Sequence, residues 1–356
     1  MNIKRIITLL NYKKFNKNKY NKKVFLSKKN NNLFYKIFII FLLIVYFKSS
    51  NKKKYSDSSI NNEINYNNNI NLDYENNSFI IIKRRCSVCG LFSDYIVFLG
   101  CINVYLSRGF IPIIDLKTYK NLFNGFNVNI SSENPWEIFF NQPFGYNLDN
   151  VIAKGKKIKY VGCNSMTSPN YSIFANKILA EYWHKFESLY IPVKTKILME
   201  SNLIRKKLFK SSENILGILM RGTDYISRKP RHHPKVPTVE MVIKDINEMN
   251  NKYNYDWYFI STEDDFIRAE FIKLLGYKLK YHLYNKKINY NYKIKQLLSN
   301  NLIVRGNIKY MEVYLLNMII LSKCIDVICA KTSGTIGVFI LTDGFRNSKV
   351  YNLGYY

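Results

Sequence analysis

The first 55 residues hold no aspartate or glutamate, against 15 lysines and arginines. That absence decides how the net charge of +29 is read. About half of the excess sits in this short N-terminal stretch, and the rest is spread along the remainder of the 356 residues. A nucleic-acid binder gathers its cations on one face, so the distribution argues against nucleic acid as a partner. Metal ligands are also scarce: four histidines and six cysteines. Cys86 and Cys89 form one CxxC, but Cys101, Cys163, Cys324 and Cys329 supply no second pair at zinc-ligand spacing. No metal site is expected. Buried thiols remain, or a disulfide if the domain faces a lumen. His184 and His282 belong to no pattern, and His232-His233 falls in a Pro- and Lys-rich loop that reads as solvated.

Near the N-terminus a single apolar run stands out, Leu33 to Phe47, LFYKIFIIFLLIVYF, interrupted by Lys36. It is short against the roughly 20 residues of a straight membrane-spanning helix, but Lys36 can snorkel, and Tyr35, Tyr46 and Phe47 suit the interface. A cleaved signal would end in a small-x-small pattern, which Phe47-Lys48-Ser49-Ser50 lacks. The segment therefore reads as an uncleaved anchor over residues 33–48. Ten Lys/Arg precede the run and four follow closely, which leaves the N-terminus cytoplasmic and gives a single-pass type II membrane protein, although Lys52, Lys53 and Lys54 pull the other way. If the substrate is a nucleotide-sugar and the cell eukaryotic, the Golgi lumen is the natural compartment.

Five regions follow from composition and periodicity: a basic tail at 1–32, the anchor at 33–48, an Asn/Ser/Lys-rich flexible stem at 49–78, an N-terminal α/β lobe at 79–210 and a C-terminal α/β lobe at 211–356. The pattern from Phe79 predicts a strand in FIIIKR, a helix over Leu91 to Leu106 and a strand over Phe110 to Leu116 that ends at Asp115. Asn134 to Pro143, NPWEIFFNQP, reads as a helix start or a pocket wall. Ile173 to Lys207 reads as helical, broken near Pro192. The second lobe alternates strand and helix: strands at Ile215 to Met220, Trp257 to Ser261, Lys278 to His282, Val327 to Ala330 and Val350 to Leu353. Helices are expected from Thr238, over Asp264 to Leu275, over Tyr310 to Lys323 and from Ile336. Such units make a mostly parallel sheet with ligands at the carboxyl ends of its strands.

Three loops lie at those ends. In Arg221-Gly222-Thr223-Asp224-Tyr225 the guanidinium can bond two phosphate oxygens, the glycine admits the backbone and Thr223 adds a hydroxyl. A tight turn with an Arg221–Asp224 salt bridge is the plainer account. In Ser261-Thr262-Glu263-Asp264 a carboxylate can accept from a base or ribose, with Glu263 the sharper candidate because Asp264 can cap the next helix. In Lys331-Thr332-Ser333-Gly334-Thr335 hydroxyls and backbone N–H groups open a helix, suiting a pyrophosphate, though ordinary capping also explains them.

GILMRGTDY, YFISTEDD and AKTSGTIG, in that order and at these separations, resemble the three C-terminal motifs of the fucosyltransferase superfamily of α1,6-fucosyltransferases and protein O-fucosyltransferases. The resemblance covers Ile215 to the C-terminus well and residues 85 to 145 loosely. It implies an α/β fold of two Rossmann-like lobes of GT-B type behind the anchor. It also implies GDP-fucose as donor substrate, inversion at the anomeric carbon, no metal or other cofactor, and a glycan or glycoprotein acceptor. By the same resemblance Arg221 meets the donor pyrophosphate, Glu263 lies near guanine, Thr332, Ser333 and Gly334 form the phosphate loop, and Asp224 matches an aspartate that closes the first motif. Leu219 and Gly222 stand where the family commonly carries histidine and a second arginine, so the reaction class is better specified than the sugar. The expected donor-binding set is Arg221, Gly222, Thr223, Glu263, Asp264, Thr332, Ser333, Gly334 and Thr335. The expected catalytic set is Arg221, Asp224 and His233, with His232 also within reach. A glycosyltransferase using another nucleotide-sugar, or a membrane-tethered nucleotide- or sugar-binding protein without activity, are the alternatives.

Overall fold

The computed structural model describes residues 72–84, 89–125, 133–163, 167–222, 225–226, 229–283 and 307–356. The basic tail, the anchor and the stem up to residue 71 lie outside the described residues, as do Thr223 and Asp224. Among the described residues no helix is long and apolar enough to cross a membrane.

Strand β1 (Ser78–Arg84) is a run of isoleucines buried on both faces, as a central parallel strand requires. It pairs in parallel with β2 (Ile111–Ile114) and β3 (Lys157–Cys163), in the order β2-β1-β3. Helix α1 (Leu91–Leu106) makes the crossover between β1 and β2. A short helix α2 (Pro135–Phe139) is capped by Asn134, whose side chain also donates to Ile114 O at 2.8 Å and accepts from Leu116 N at 3.0 Å, pinning the end of β2. NPWEIFF is therefore a helix start and core: the Trp136 ring lies 4.5 Å from Phe140 and 5.4 Å from Phe98 and is almost fully buried. Helix α3 (Leu148–Lys154) leads into β3.

A disulfide joins Cys101 on α1 to Cys163 at the end of β3, with Cα atoms 6.3 Å apart, and Cys89 is also disulfide-bonded. Cys324 and Cys329 are buried thiols pushed up to about 12 by burial, so they remain protonated and unreactive.

Helices α4 (Lys177–Tyr190) and α5 (Thr195–Phe209) follow, broken at Ile191 to Lys194 around Pro192. The C-terminal lobe then runs β4 (Ile215–Leu219), α6 (Val239–Tyr253), β5 (Trp257–Ser261), α7 (Asp265–Leu275), β6 (Leu279–Lys280), α8 (Ile308–Ser322), β7 (Asp326–Ala330), α9 (Ser333–Leu341) and β8 (Asn347–Tyr351). Its sheet is parallel throughout, in the order β6-β5-β4-β7-β8. The chain starts in the middle at β4, works outward to β6, then crosses back through α8 to β7. The order reverses between β4 and β7, the place where a doubly wound sheet opens its ligand crevice. Leu216 and Ile218 of β4 feed one core and Ile215 and Leu219 the other, the period-two alternation of a strand buried on both sides.

The larger core is continuous from Ile80, Tyr95 and Trp136 through Trp183 and Phe186 of α4 to Leu315 of α8 and Phe339 of α9. Helix α9 packs against both α1 and α4, and α8 against α5, so the two sheets share one apolar interior. His184 belongs here: its Nδ1 lies 2.8 Å from Ile340 O and its Nε2 3.3 Å from the Asp343 carboxylate, tying α4 to the end of α9.

Inside this core Glu187 is buried with one carboxylate oxygen lacking a hydrogen-bond partner, and the Tyr95 hydroxyl lacks one as well. Burial pushes the Glu187 carboxyl up to about 8, against which Ser188 and the Val193 N–H work only partly. In the unfolded chain the same carboxyl releases its proton near its ordinary value. Between those two values the folded protein binds the extra proton, so stability falls as pH rises from about 4.5 to about 8 and is level above. Thermal unfolding between pH 5 and 8 should show that decline, and Glu187→Gln should make it shallower, leaving the share of buried Asp94, whose carboxyl burial likewise pushes up to about 7. An equally steep decline in the variant would show that Glu187 is not its source.

Candidate functional site

Strands β5, β4 and β7 are neighbours, and the loop leaving the carboxyl end of each carries one of the sequence motifs. The sheet thus assembles what the chain separates by about 40 and 70 residues, Arg221, Glu263 and Thr332. Arg221 follows β4, with its side chain 19% exposed, and its Nε lies 3.5 Å from Oε1 of Glu263, which is 9% exposed. The same Glu263 oxygen accepts from the Gly222 N–H at 2.9 Å. Glu263 therefore orients the arginine and fixes the backbone beside it. Gly222 is required by a neighbour: a Cβ there would overlap the Asp264 carboxylate, so the loops after β4 and β5 close on each other only with glycine at this position. Asp264, nearly buried, spends its Oδ1 on the N–H groups of Phe266 and Ile267 at 3.0 and 3.2 Å, capping α7.

At the third loop the Thr332 side chain caps α9, accepting from Thr335 N at 3.2 Å, and its hydroxyl lies 3.0 Å from that of Thr335. Thr335 in turn donates to Ala330 O. Both hydroxyls are buried and serve the cap. Ser333 and the first N–H groups of the nine-residue α9 sit at the positive end of the helix. Gly334 is packed against a residue of another helix: a Cβ there would stand 2.7 Å from the Tyr314 hydroxyl of α8.

Tyr314 was not expected from the sequence. Its ring meets Phe92 of α1 edge-on at 5.6 Å. Burial pushes its phenol up to about 12; Arg221 opposes that rise, while Glu263 and Tyr225 add to it, which places the hydroxyl within electrostatic reach of the whole cluster. The phenol therefore keeps its proton and can donate. Only a tyrosine beside an apolar helical stripe marks this residue in the sequence, and nothing distinguishes it there from the many other tyrosines.

Tyr225 lies under Arg221, the guanidinium carbon 5.0 Å from the ring centroid. Its hydroxyl is 3.1 Å from Nδ1 of His233, and the two rings meet edge-on at 5.3 Å. Of the expected catalytic set, the structure thus links His233 to Arg221 through one aromatic ring. Lys331, 5.7 Å from the ring centroid of Tyr171, adds a cation beside the third loop. Among the described residues no group of histidine, cysteine, aspartate or glutamate side chains is arranged to hold a metal ion.

No family model and no curated protein matches the chain. Among solved structures it is similar to fucosyltransferases. One is NodZ from Bradyrhizobium (TM-score 0.45, 16% identity, covering 74% of this chain and 93% of that one). The NodZ α-1,6-fucosyltransferase soaked with GDP-fucose gives the same values. Another is POFUT1 in complex with GDP (TM-score 0.44, 9% identity, 77% of this chain and 98% of that one). What the site can do follows from its own geometry.

Proposed function

We propose that the chain is an inverting, metal-independent glycosyltransferase that takes a sugar from a nucleotide diphosphate donor, GDP-fucose, to a glycan or glycoprotein acceptor. The observation that carries this reading is the placement of Arg221 and the N-terminus of α9 at the carboxyl ends of β4 and β7, the strands between which the sheet order reverses. The acceptor oxygen forms its bond to the anomeric carbon, the bond from that carbon to the phosphate oxygen breaks, and its electron pair leaves with the nucleoside diphosphate. Charge develops on the departing phosphate, where Arg221, Ser333 and the helix end stabilise it. The acceptor proton passes to a base for which His233, joined to the site through Tyr225, is the described candidate. The choice of fucose comes from the motif resemblance and is the part a donor screen must establish.

The disulfide between Cys101 and Cys163 supports an oxidising compartment, in keeping with a type II anchor at 33–48 that delivers the domain to a Golgi-like lumen. Labelled GDP-fucose with a panel of glycan and glycoprotein acceptors tests the activity. Tight GDP binding with neither transfer nor donor hydrolysis would support a nucleotide-binding protein without activity. Within the proposed reaction the Tyr314 hydroxyl donates a hydrogen bond to a donor phosphate oxygen. Tyr314→Phe should weaken GDP binding about tenfold, the value of one hydrogen bond to a charged acceptor, and raise the donor KM more than it lowers kcat. Unchanged GDP affinity by calorimetry would reduce Tyr314 to packing.

A further inference from the structure

Beyond Tyr225 the loop between β4 and α6 is strongly basic. Lys229, Arg231, His232, His233 and Lys235 all lie within seven residues and all are exposed. Among the described residues no carboxylate pairs with Lys229, Arg231 or Lys235, whereas Arg205, Lys117 and Arg346 elsewhere each meet an acid within 3.0 Å. The loop is also held in place. His232 N donates to Tyr356 O at 3.3 Å, Tyr356 N to His233 O at 3.0 Å and Lys235 N to Gly354 O at 2.9 Å, with a bridge between Pro234 and Tyr355. Lys229 and His232 sit at φ +48° and +65°, a left-handed conformation that side chains other than glycine adopt at a cost, so the backbone presents these cations in one fixed arrangement.

Charge of one sign, fixed and without a carboxylate partner among the described residues, fits a ligand of the other sign. The donor does not account for it. A nucleotide diphosphate carries two or three negative charges, which Arg221 and the end of α9 already face. The basic loop is joined to Arg221 through Tyr225 and His233, so its cations stand next to the donor grip and are separate from it. We infer that the acceptor is an anionic glycan, bearing sulfate, phosphate or carboxylate groups, gripped by Lys229, Arg231 and Lys235 beside the transfer site. This inference rests on the glycosyltransferase reading for the word acceptor, but the anion grip is measurable by itself.

The test uses the full chain, with a heparin-derived tetrasaccharide and its desulfated counterpart as probes and GDP as control. The 15 cations of residues 1–55 attract the same probe in every variant, so the informative quantity is the difference between proteins. Each exposed charge pair is worth roughly a factor of two, so Lys229→Ala/Arg231→Ala/Lys235→Ala should weaken the sulfated probe about tenfold, less at high salt, and leave GDP affinity unchanged. Lys229→Arg/Lys235→Arg should bind the probe as wild type does. Equal affinity of the triple variant and wild type for the sulfated probe would overturn the inference. So would equal affinity of wild type for sulfated and desulfated probes, or a loss confined to vesicles of anionic lipid. Failure of wild type to bind GDP, with the tenfold difference intact, would overturn the donor reading and leave the anion grip standing.

Discussion

Replacing Arg221 with lysine should lower kcat/KM for transfer about 100-fold or more, with the unfolding midpoint near that of the parent. Charge is conserved in this variant, so the loss measures geometry. The guanidinium is a planar fork whose Nε is directed at Glu263 and whose face rests near Tyr225, and an ammonium group can reproduce neither contact at that length. The Gly222 N–H to Glu263 bond survives, so the loop keeps its course and folding is largely spared. Near-normal transfer by the lysine variant would show that the phosphates do not sit at the end of β4.

The second large effect lies at the amino-terminal end of β7, the strand beside β4 in the same sheet. Asp326, the first residue of β7, is fully buried and accepts from Arg346 Nη2 at 2.6 Å, the Asn347 N–H at 2.7 Å and the Tyr255 hydroxyl. Arg346 in turn stacks over Tyr253, its guanidinium carbon 4.1 Å from the ring centroid. Burial by itself would raise the Asp326 carboxyl, but these partners hold it below the ordinary carboxylate range. Asp326→Ala strands all of them at once and should cost about 3 kcal/mol, read by chemical denaturation. The depressed carboxyl also makes its contribution acid-sensitive: present above the unfolded value near 4, it is lost as pH falls through the folded value. Glu187 has the opposite dependence, so the two buried acids favour a slightly acidic optimum. GDP affinity of folded Asp326→Ala should remain near wild type, and a large loss of it would mean that this knot also shapes the site.

Most strands and helices were legible because burial imposes period. Leu91–Leu106 is found at its expected limits, and the strands at Ile215 and Trp257 and the helix after Asp264 lie within a residue of theirs. Strand β3 and the helix before it were not read. Lys157–Cys163 is an edge strand whose mostly solvent-facing residues carry no apolar alternation strong enough to mark it. The last strand starts three residues and ends two residues earlier than expected, because its start is set by Asn347 and Arg346 bonding Asp326 and its first residues are polar. At the site, the three loops could be read as strand ends, and the capping by Asp264 and Thr332, made of contacts two or three residues apart, could be read with them. That Glu263 serves Arg221 could not, because it depends on which strands are neighbours. Tyr314 reaches the site from a helix whose place in the sheet order no local pattern encodes.

The pairing of residues 354–356 with residues 232–235 has a practical consequence for anyone handling the protein. Tyr355 forms a bridge with Pro234, and Tyr356 bonds the backbone of His232 and His233, so a tag or fusion joined directly after Tyr356 begins beside the basic loop. A cleavable linker there, or a tag placed elsewhere, keeps the loop in its native arrangement, and trimming residues 354–356 removes the backbone partners that hold it.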